Sequence, residues 1–127
     1  MESIKIETTK VFEKSIKKLA KHYPGIKNIF KKIIDDLEKN PRIGQEIQGH
    51  QHFYKVRYGN PDAGQGKSGG FRVIYFYSQQ QNYIVLADIY SKKDQENEDW
   101  HVINRVMSEL QNNQDSSQEE ETDNGRS

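Results

Sequence analysis

The hydrophobic pattern of this chain changes its period near Pro41, and that change constrains the fold more than any other feature. Before Pro41, apolar residues recur in steps of three and four, which places them on one face of a helix. Tyr23-Pro24-Gly25 separates two such stretches, and the second ends at Asn40-Pro41 because proline breaks a helix. The first part therefore predicts a helical hairpin, with apolar positions Phe12, Ile16, Leu19, Ala20, Tyr23, Ile26, Ile29, Phe30, Ile33 and Leu37.

An irregular stretch covers Arg42 to Gln51. After it, apolar residues either alternate with polar ones or form short dense runs, and both patterns are typical of strands. Aromatic and β-branched residues dominate these segments, and both kinds of residue favour strands. The predicted strands cover residues 53–58, 71–77 and 83–90, and a turn at 78–82 joins the last two. In the first of them, Tyr54, Val56 and Tyr58 share one face, and Phe53, Lys55 and Arg57 share the other.

The two ends of the domain complete the predicted order. Ile4 and Ile6 indicate a short first strand, and Thr8 or Thr9 can cap the helix that follows. Helical spacing returns over residues 94–110. The order β-α-α-β-β-β-α predicts an α+β fold, in which the N-terminal helical hairpin packs on a small antiparallel sheet beside a C-terminal helix.

The formal net charge is zero, from 19 Lys+Arg and 19 Asp+Glu, but the charges are unevenly placed. Residues 111–127 contain no apolar side chain and carry five acids against one base. Such a segment has nothing to bury that would offset the entropy of ordering it. The sequence therefore predicts one mildly basic domain over residues 1–110, with 18 bases against 14 acids, and a disordered acidic tail over residues 111–127.

Cysteine is absent, which excludes disulfides and thiolate zinc sites and favours a reducing cytoplasm. No apolar run approaches the ~18 residues of a membrane span, and the N-terminus lacks the apolar region of a signal peptide. We therefore expect a cytoplasmic protein that has no membrane partner.

Two patterns resemble cofactor sites, and both are incomplete. Gly64-Gln65-Gly66-Lys67-Ser68 resembles the end of a phosphate-binding loop, but Pro61 occupies the position of the first glycine of that motif. The His50-x-His52 pair lacks a third metal ligand at a convincing spacing. No serine has the setting of a hydrolase nucleophile. We expect no small-molecule cofactor and no metal.

Basic side chains interrupt the apolar pattern of the predicted strands. Lys55 and Arg57 share a strand face, and Arg72 lies within an aromatic and aliphatic strand, where an unpaired cation is costly. Arg72 either pairs with Asp88 or a loop carboxylate, or joins Lys55 and Arg57 on one concave basic face. Cations interleaved with aromatic rings suit a single-stranded polynucleotide, because cations contact phosphates and rings stack on bases. Further candidates are Lys67 in the glycine-rich loop and Tyr90, Lys92 and Lys93 at the end of the last strand.

Several segments also occur together in one known family. They are Phe12-x-Lys14-x-x-Lys17-Lys18-Leu19, Asn40-Pro41, Tyr54-Lys55-Val56-Arg57, Gly66-Lys67-Ser68-Gly69-Gly70-Phe71-Arg72-Val73-Ile74-Tyr75 and Ile89-Tyr90-Ser91-Lys92-Lys93-Asp94. In order and over roughly residues 5–110, they resemble the RelE/ParE toxin superfamily of type II toxin–antitoxin systems, and most closely its RelE and HigB-like branch. The resemblance implies the same β-α-α-β-β-β-α layout.

For the RelE branch, the resemblance implies a ribosome-dependent endoribonuclease that cuts mRNA, and a cognate antitoxin that covers the basic face. In that reaction the 2′-OH of the mRNA attacks the adjacent phosphate and leaves a 2′,3′-cyclic phosphate. The protein orients the 2′-OH, transfers protons and stabilises the added charge. Arg72 is expected to bind that charge, because a guanidinium contacts phosphate in a bidentate way. The candidate catalytic residues are Lys55, Arg57, Arg72 and Tyr90, and the candidate RNA-binding residues are Lys67, Lys92 and Lys93.

The acid–base pair and the target stay open at this point. RelE-like enzymes carry a tyrosine in the region of the final helix, where this chain has Trp100. Tyr90, Glu46 and His101 are the available groups for proton transfer. The alternative function is that of the ParE branch, which inhibits DNA gyrase without cutting RNA. A third is a toxin fold that is kept only as the partner of an antitoxin or repressor.

Overall fold

The computed structural model describes residues 3–63 and 70–111, and in these residues it has five strands and three helices. A 3₁₀ turn, Pro61–Ala63, follows the third strand. This architecture confirms the predicted α+β class and the order of its elements, and it adds a short strand within the stretch expected to be irregular. The elements are β1 (Lys5–Thr8), α1 (Lys10–Ala20), α2 (Ile26–Lys39), β2 (Gln45–Glu46), β3 (Phe53–Tyr58), β4 (Phe71–Ser78), β5 (Tyr83–Ser91) and α3, which covers residues 100–111.

Two of the predictions fall on parts of the chain outside the described residues. Lys67 and the rest of the glycine-rich stretch lie within residues 64–69, and most of the predicted acidic tail lies within residues 112–127. Among the described helices, none is long and apolar enough to cross a membrane.

The five strands form one mixed sheet in the order β1-β5-β4-β3-β2. Neighbours from β5 to β2 are antiparallel, as predicted, but β1 runs parallel to β5 and pairs Ile6 with Ile84. The prediction of a purely antiparallel sheet was therefore wrong for this edge. A parallel pair needs a long crossover between its strands, and the intervening helices and strands supply it.

The helical hairpin of α1 and α2 covers one face of the sheet. Thr9 caps α1: its hydroxyl oxygen accepts from the Phe12 N–H at 3.0 Å and donates to the carbonyls of Leu86 and Ala87 at 3.1 and 3.0 Å. This cap fixes the start of α1 against β5. The core between hairpin and sheet consists of Phe12, Leu19, Ile26, Ile33, Leu37, Val56, Tyr58, Phe71, Val73, Tyr75, Tyr77, Ile84, Leu86 and Ile89.

The third helix covers the opposite side of the sheet, here called the α3 face. The third helix begins at residue 100 and not near Asp94, where the sequence predicts its start. The acidic and amide residues before it offer no side chain for the core, and the Asp99 carboxylate accepts from the His101 N–H at 2.9 Å at the helix start. The smaller core on this face consists of Ile47, Phe53, Ile74, Val85, Ala87, Tyr90, Ile103 and Val106.

A β-bulge in β5 determines which face its last residues occupy. Tyr75 pairs with Leu86 but Ile74 pairs with Asp88, so Ala87 is an extra residue on β5. Strict alternation from Ile84 and Leu86 would point Tyr90 towards the hairpin. The extra residue instead turns Tyr90 onto the α3 face, where it joins the smaller core.

Candidate active site

Three side chains form a row across neighbouring strands on the α3 face. Arg57 of β3 pairs with Arg72 of β4, which in turn pairs with Tyr90 of β5. Paired residues on adjacent strands have Cα atoms about 5 Å apart, so their side chains are direct neighbours. We call Arg57, Arg72 and Tyr90 the cation–phenol row. Lys55 precedes Arg57 by two residues and shares its face.

Gly70 fixes the start of β4 immediately before this row. A Cβ atom at this position would lie 2.0 Å from the Tyr58 carbonyl oxygen, so only glycine allows β4 to approach the end of β3 there. The Gly70 carbonyl also accepts from the Lys92 N–H at 2.9 Å. This close approach holds β3, β4 and the end of β5 together on both sides of Arg72.

Arg72 is 5% exposed, although burial of a charged group is costly. Its Nη1 donates to the Phe71 carbonyl at 3.3 Å. Burial lowers the pKa of the Arg72 guanidinium, and the charge of Arg57 lowers it further. Two neighbouring cations repel each other, and a phosphate placed between them would relieve that repulsion.

Asp88, the carboxylate considered as a structural partner for Arg72, makes its contacts with α1 and with its own strand. Its Oδ1 accepts from the Ser15 hydroxyl at 2.7 Å and from the Ile89 N–H at 2.8 Å. Burial raises the pKa of the Asp88 carboxyl group, and these two hydrogen bonds oppose the rise. Asp88 therefore joins α1 to β5.

Tyr90 carries a buried hydroxyl for which the described part of the chain provides no hydrogen-bond partner. Burial raises the pKa of this phenol to about 12, and the negative charge of Glu98 contributes to the rise. The phenol therefore keeps its proton at neutral pH. A buried hydroxyl without a hydrogen bond costs about 1–3 kcal/mol of free energy. A bound ligand that accepts a hydrogen bond from it would remove that cost.

Lys55 is already paired, and its partner was not found by sequence reasoning. Its Nζ lies 2.7 Å from Oε1 of Glu98, in the connection between β5 and α3. The Glu98 side chain is only 10% exposed. No pattern in the sequence distinguishes Glu98 from Glu96 or Asp99, since all three are acids in one polar stretch.

A cavity of about 500 Å³ opens beside this ion pair. Trp100 at the start of α3 is 50% exposed, and its ring centroid lies 4.1 Å from that of His50. An exposed indole beside cations is a surface on which a base can stack. The cavity is lined by Gln45, Glu46, Ile47, Gln48, Lys55, Glu98 and Trp100.

The histidines considered as metal ligands do not form a cluster in the described residues. Both ring nitrogens of His50 are buried, and no partner for them lies in the described part of the chain. The His52 N–H donates to the Glu46 carboxylate at 3.0 Å, which stabilises the turn before β3. Within residues 3–63 and 70–111, no three His, Asp or Glu side chains are close enough to hold a metal.

The remaining predicted residues lie after the end of β5 or on α3. The Lys92 ammonium donates to the Glu96 carbonyl in the connection that leads to α3. Lys93 is exposed and lines a cavity of about 540 Å³ between α1 and the end of β5, together with Lys18, His22 and Tyr90. His101 is exposed on α3.

Comparison with known proteins identifies the family. Residues 6–96 match the family model described as the ParE toxin of the type II toxin–antitoxin system parDE. The chain belongs to this toxin family. It is therefore a toxin of the RelE/ParE superfamily, as the sequence resemblance predicted.

Solved structures share the fold of this toxin. The isolated RelE toxin of E. coli is 16% identical, with a TM-score of 0.53 over 85% of this chain and 99% of that chain. The RelBE2 toxin–antitoxin complex of Mycobacterium tuberculosis gives 15% identity and a TM-score of 0.50, covering 72% and 93%. HP0892 of Helicobacter pylori gives 21% identity and a TM-score of 0.52, covering 72% and 97%.

Proposed function

We propose that this toxin is a ribosome-dependent endoribonuclease that cleaves mRNA through attack of a 2′-OH on the adjacent phosphate. The observation that carries the proposal is the cation–phenol row, which lines up two guanidinium groups and a protonated phenol on neighbouring strands. RNA supplies its own nucleophile, so the protein has to provide charge stabilisation and proton transfer. These are functions that this row can perform.

Each member of the row has a distinct role in this proposal. Arg72 and Arg57 bind the non-bridging oxygens of the scissile phosphate and stabilise the charge that develops in the transition state. Lys55 adds a positive charge on the same face. Tyr90 donates its proton to the departing 5′ oxygen. Because the Tyr90 oxygen is buried in the unbound chain, this role requires neighbouring side chains to move when substrate binds.

The basic residues outside the row bind the nucleic acid backbone. Lys92 and Lys93 follow the end of β5, and Lys67 belongs to the glycine-rich stretch. Contacts of this kind position a substrate without reading its sequence. The ribosome holds the mRNA in an extended form, which supplies the in-line geometry that the reaction needs.

A cognate antitoxin is the expected protein partner. The family belongs to toxin–antitoxin systems, and the RelBE2 structure with the same fold is a toxin–antitoxin complex. A segment of such a partner that covers Arg57 and Lys55 with acidic side chains would block access of RNA to the row. Complementary charge of this kind speeds association at low ionic strength.

Inhibition of DNA gyrase is the second candidate, and the match to the ParE family model favours it. Such an inhibitor acts by binding and needs no proton transfer. It would make no use of a phenol beside two guanidinium groups. The buried Tyr90 hydroxyl, which has no hydrogen-bond partner among the described residues, therefore favours the nuclease.

Expression of the toxin in growing cells tests the two functions against each other. Primer extension on several mRNAs detects cleavage, and plasmid topology reports gyrase activity. Codon-phased cuts with normally supercoiled plasmid support the nuclease. Intact mRNA together with relaxed plasmid or broken DNA would contradict the nuclease and support gyrase inhibition.

A further inference from the structure

The described groups on the α3 face can be sorted by what each can do with a proton. Arg57 and Arg72 are cations, and the Tyr90 phenol keeps its proton at neutral pH. Lys55 is the cationic partner of an ion pair, so it has no lone pair with which to accept a proton. All four can donate a proton or stabilise charge, and none accepts a proton. Cleavage through a 2′-OH nevertheless requires an acceptor.

Three other potential acceptors in the described residues, Glu46, Asp88 and His50, are held by hydrogen bonds of their own or are buried. The Glu46 carboxylate accepts from the His52 N–H at 3.0 Å in the turn before β3. Asp88 accepts from Ser15 on α1. The nitrogens of His50 are buried beneath the Trp100 ring, which keeps a substrate hydroxyl away from them.

Glu98 is a carboxylate in the right place. Its Oε1 lies 2.7 Å from Lys55 Nζ, which holds the carboxylate beside the cationic side of the row. The side chain is only 10% exposed, yet it lines the cavity of about 500 Å³ next to Trp100. A nucleotide that stacks on Trp100 would bring its ribose to this cavity.

We propose that Glu98 is the proton acceptor in the mRNA cleavage proposed above, and the inference rests on that proposed function. The 2′-OH gives its proton to the Glu98 carboxylate while the bond between the 2′ oxygen and phosphorus forms. The bond between phosphorus and the 5′ oxygen breaks, and the 5′ oxygen takes the Tyr90 proton. Water then returns a proton to Tyr90 and removes one from Glu98. The products are a 2′,3′-cyclic phosphate and a 5′-hydroxyl.

The test is the pH dependence of single-turnover mRNA cleavage on programmed ribosomes. It compares the wild type with Glu98→Gln, Glu98→Asp and Glu96→Gln, using the full chain. Glu96 is an exposed acid of the same connection and is the matched control. Melting curves and ribosome binding are measured for each variant, so that a loss of folding or docking is seen separately.

We expect Glu98→Gln to cleave on the order of 100-fold more slowly at neutral pH, the scale of general base catalysis. Its rate should rise steadily with pH, because hydroxide then takes the proton. The rates of the wild type and of Glu98→Asp should instead level off to a plateau as pH rises, and Glu96→Gln should match the wild type.

A second comparison separates proton transfer from the mere pairing of Lys55. In a Lys55→Met background, Glu98→Gln should still slow the reaction and remove the plateau. If Glu98 only holds Lys55 in position, the second substitution would change nothing. That result would overturn the assignment, as would a Glu98→Gln profile parallel to that of the wild type at every pH. Loss of the plateau in Glu46→Gln, with Glu98→Gln unaffected, would move the role to Glu46.

The two proposals fail in different ways. A wild-type protein that leaves mRNA intact on ribosomes would remove the nuclease function and this role together. A wild-type protein that cleaves, beside a Glu98→Gln variant that cleaves equally well, would remove only the role of Glu98.

Discussion

At the scale of single residues, Arg72 carries most of the proposed chemistry. Transfer of a charge from water into a buried position is costly. Across the strand pair Arg72 faces another cation, Arg57, and the pKa of Arg72 is lowered by burial and by that charge. The site is thus built in a form that an anion would stabilise.

Substitution of Arg72 should therefore separate folding from activity. Arg72→Met removes a buried charge and keeps an apolar stem of similar length that can pack in its place, so we expect the variant to remain folded, as its melting curve would show. Cleavage should fall on the order of 100-fold or more with the loss of one transition-state contact. Arg72→Lys keeps the charge but loses the bidentate contact, so its cleavage rate should lie between those of the wild type and Arg72→Met. A folded Arg72→Met variant with the wild-type rate would remove Arg72 from the site.

The hydroxyl of Tyr90 offers an equally selective change. Tyr90→Phe removes only an oxygen that has no partner in the described residues. Since an unsatisfied buried hydroxyl costs about 1–3 kcal/mol, we expect the variant to be as stable as the wild type or more stable. Single-turnover cleavage should nevertheless slow, because the donor to the 5′ oxygen is lost. Lower stability together with unchanged cleavage would assign Tyr90 to the core alone.

At the scale of elements, the strands and the first two helices follow from the sequence because their patterns are local. Residues 53–58 are a strand as predicted, and Thr9 caps α1 as expected. The site depends on two features that are not local. The bulge at Ala87 turns Tyr90 onto the α3 face, and no alternation pattern in the sequence marks an extra residue.

The connection between β5 and α3 is the second such feature. Helical spacing predicts a helix from about Asp94, but the helix begins at residue 100. As a connection, the segment brings Glu98 to Lys55 from 43 residues away in sequence. Sequence spacing does not predict such a contact, because Lys55 and Glu98 each have the pattern of a charged side chain exposed to solvent.

The link between α1 and β5 makes its own prediction. Because burial raises the pKa of Asp88 in the folded chain, the folded state binds this proton more tightly than the unfolded state. The wild type therefore loses stability as pH rises through the folded pKa of Asp88. An amide oxygen can accept from Ser15 and Ile89 without a charge, so we expect Asp88→Asn to be more stable than the wild type at neutral pH.

Chemical unfolding at several pH values measures this difference. The gain of Asp88→Asn over the wild type should shrink as pH falls and Asp88 becomes protonated. Ser15→Ala is the matched control, since it removes the hydroxyl donor and keeps the carboxylate. A constant difference at every pH would show that charge at Asp88 is not the cause.

At the scale of the whole molecule, buried phenols set the alkaline limit of stability. Burial raises the pKa of Tyr75 and of Tyr90 to about 12, from an ordinary value of 10.0. Between these values the unfolded chain releases protons that the folded chain keeps, so the free energy of unfolding falls as pH rises. Each such tyrosine contributes a slope of up to about 1.4 kcal/mol per pH unit.

Unfolding titrations between pH 8 and 11.5 test this expectation. We expect a nearly constant free energy of unfolding below about pH 10 and a steep decline above it. Tyr90→Phe should show a shallower decline, because one buried phenol is missing. Equal slopes in the two proteins would mean that the Tyr90 phenol titrates as it does in the unfolded chain.

Charge is also distributed on this scale. Residues 1–110 carry an excess of bases that the zero net charge of the whole chain conceals. Composition alone was enough to separate the basic domain from the acidic segment, because this contrast extends over many residues. The tail stays a prediction from composition, and the role of Lys67 stays a prediction from the glycine-rich stretch and the family resemblance.

The most direct test of the central claim uses purified toxin, programmed ribosomes and two end-labelled mRNAs. One mRNA is natural, and the other carries a single 2′-deoxynucleotide at the cleavage position. We predict ribosome-dependent cleavage of the natural mRNA, with a 2′,3′-cyclic phosphate on the upstream fragment, and no cleavage at the deoxy position. Equal cleavage of both mRNAs would contradict the 2′-OH mechanism, and an intact natural mRNA would contradict the nuclease.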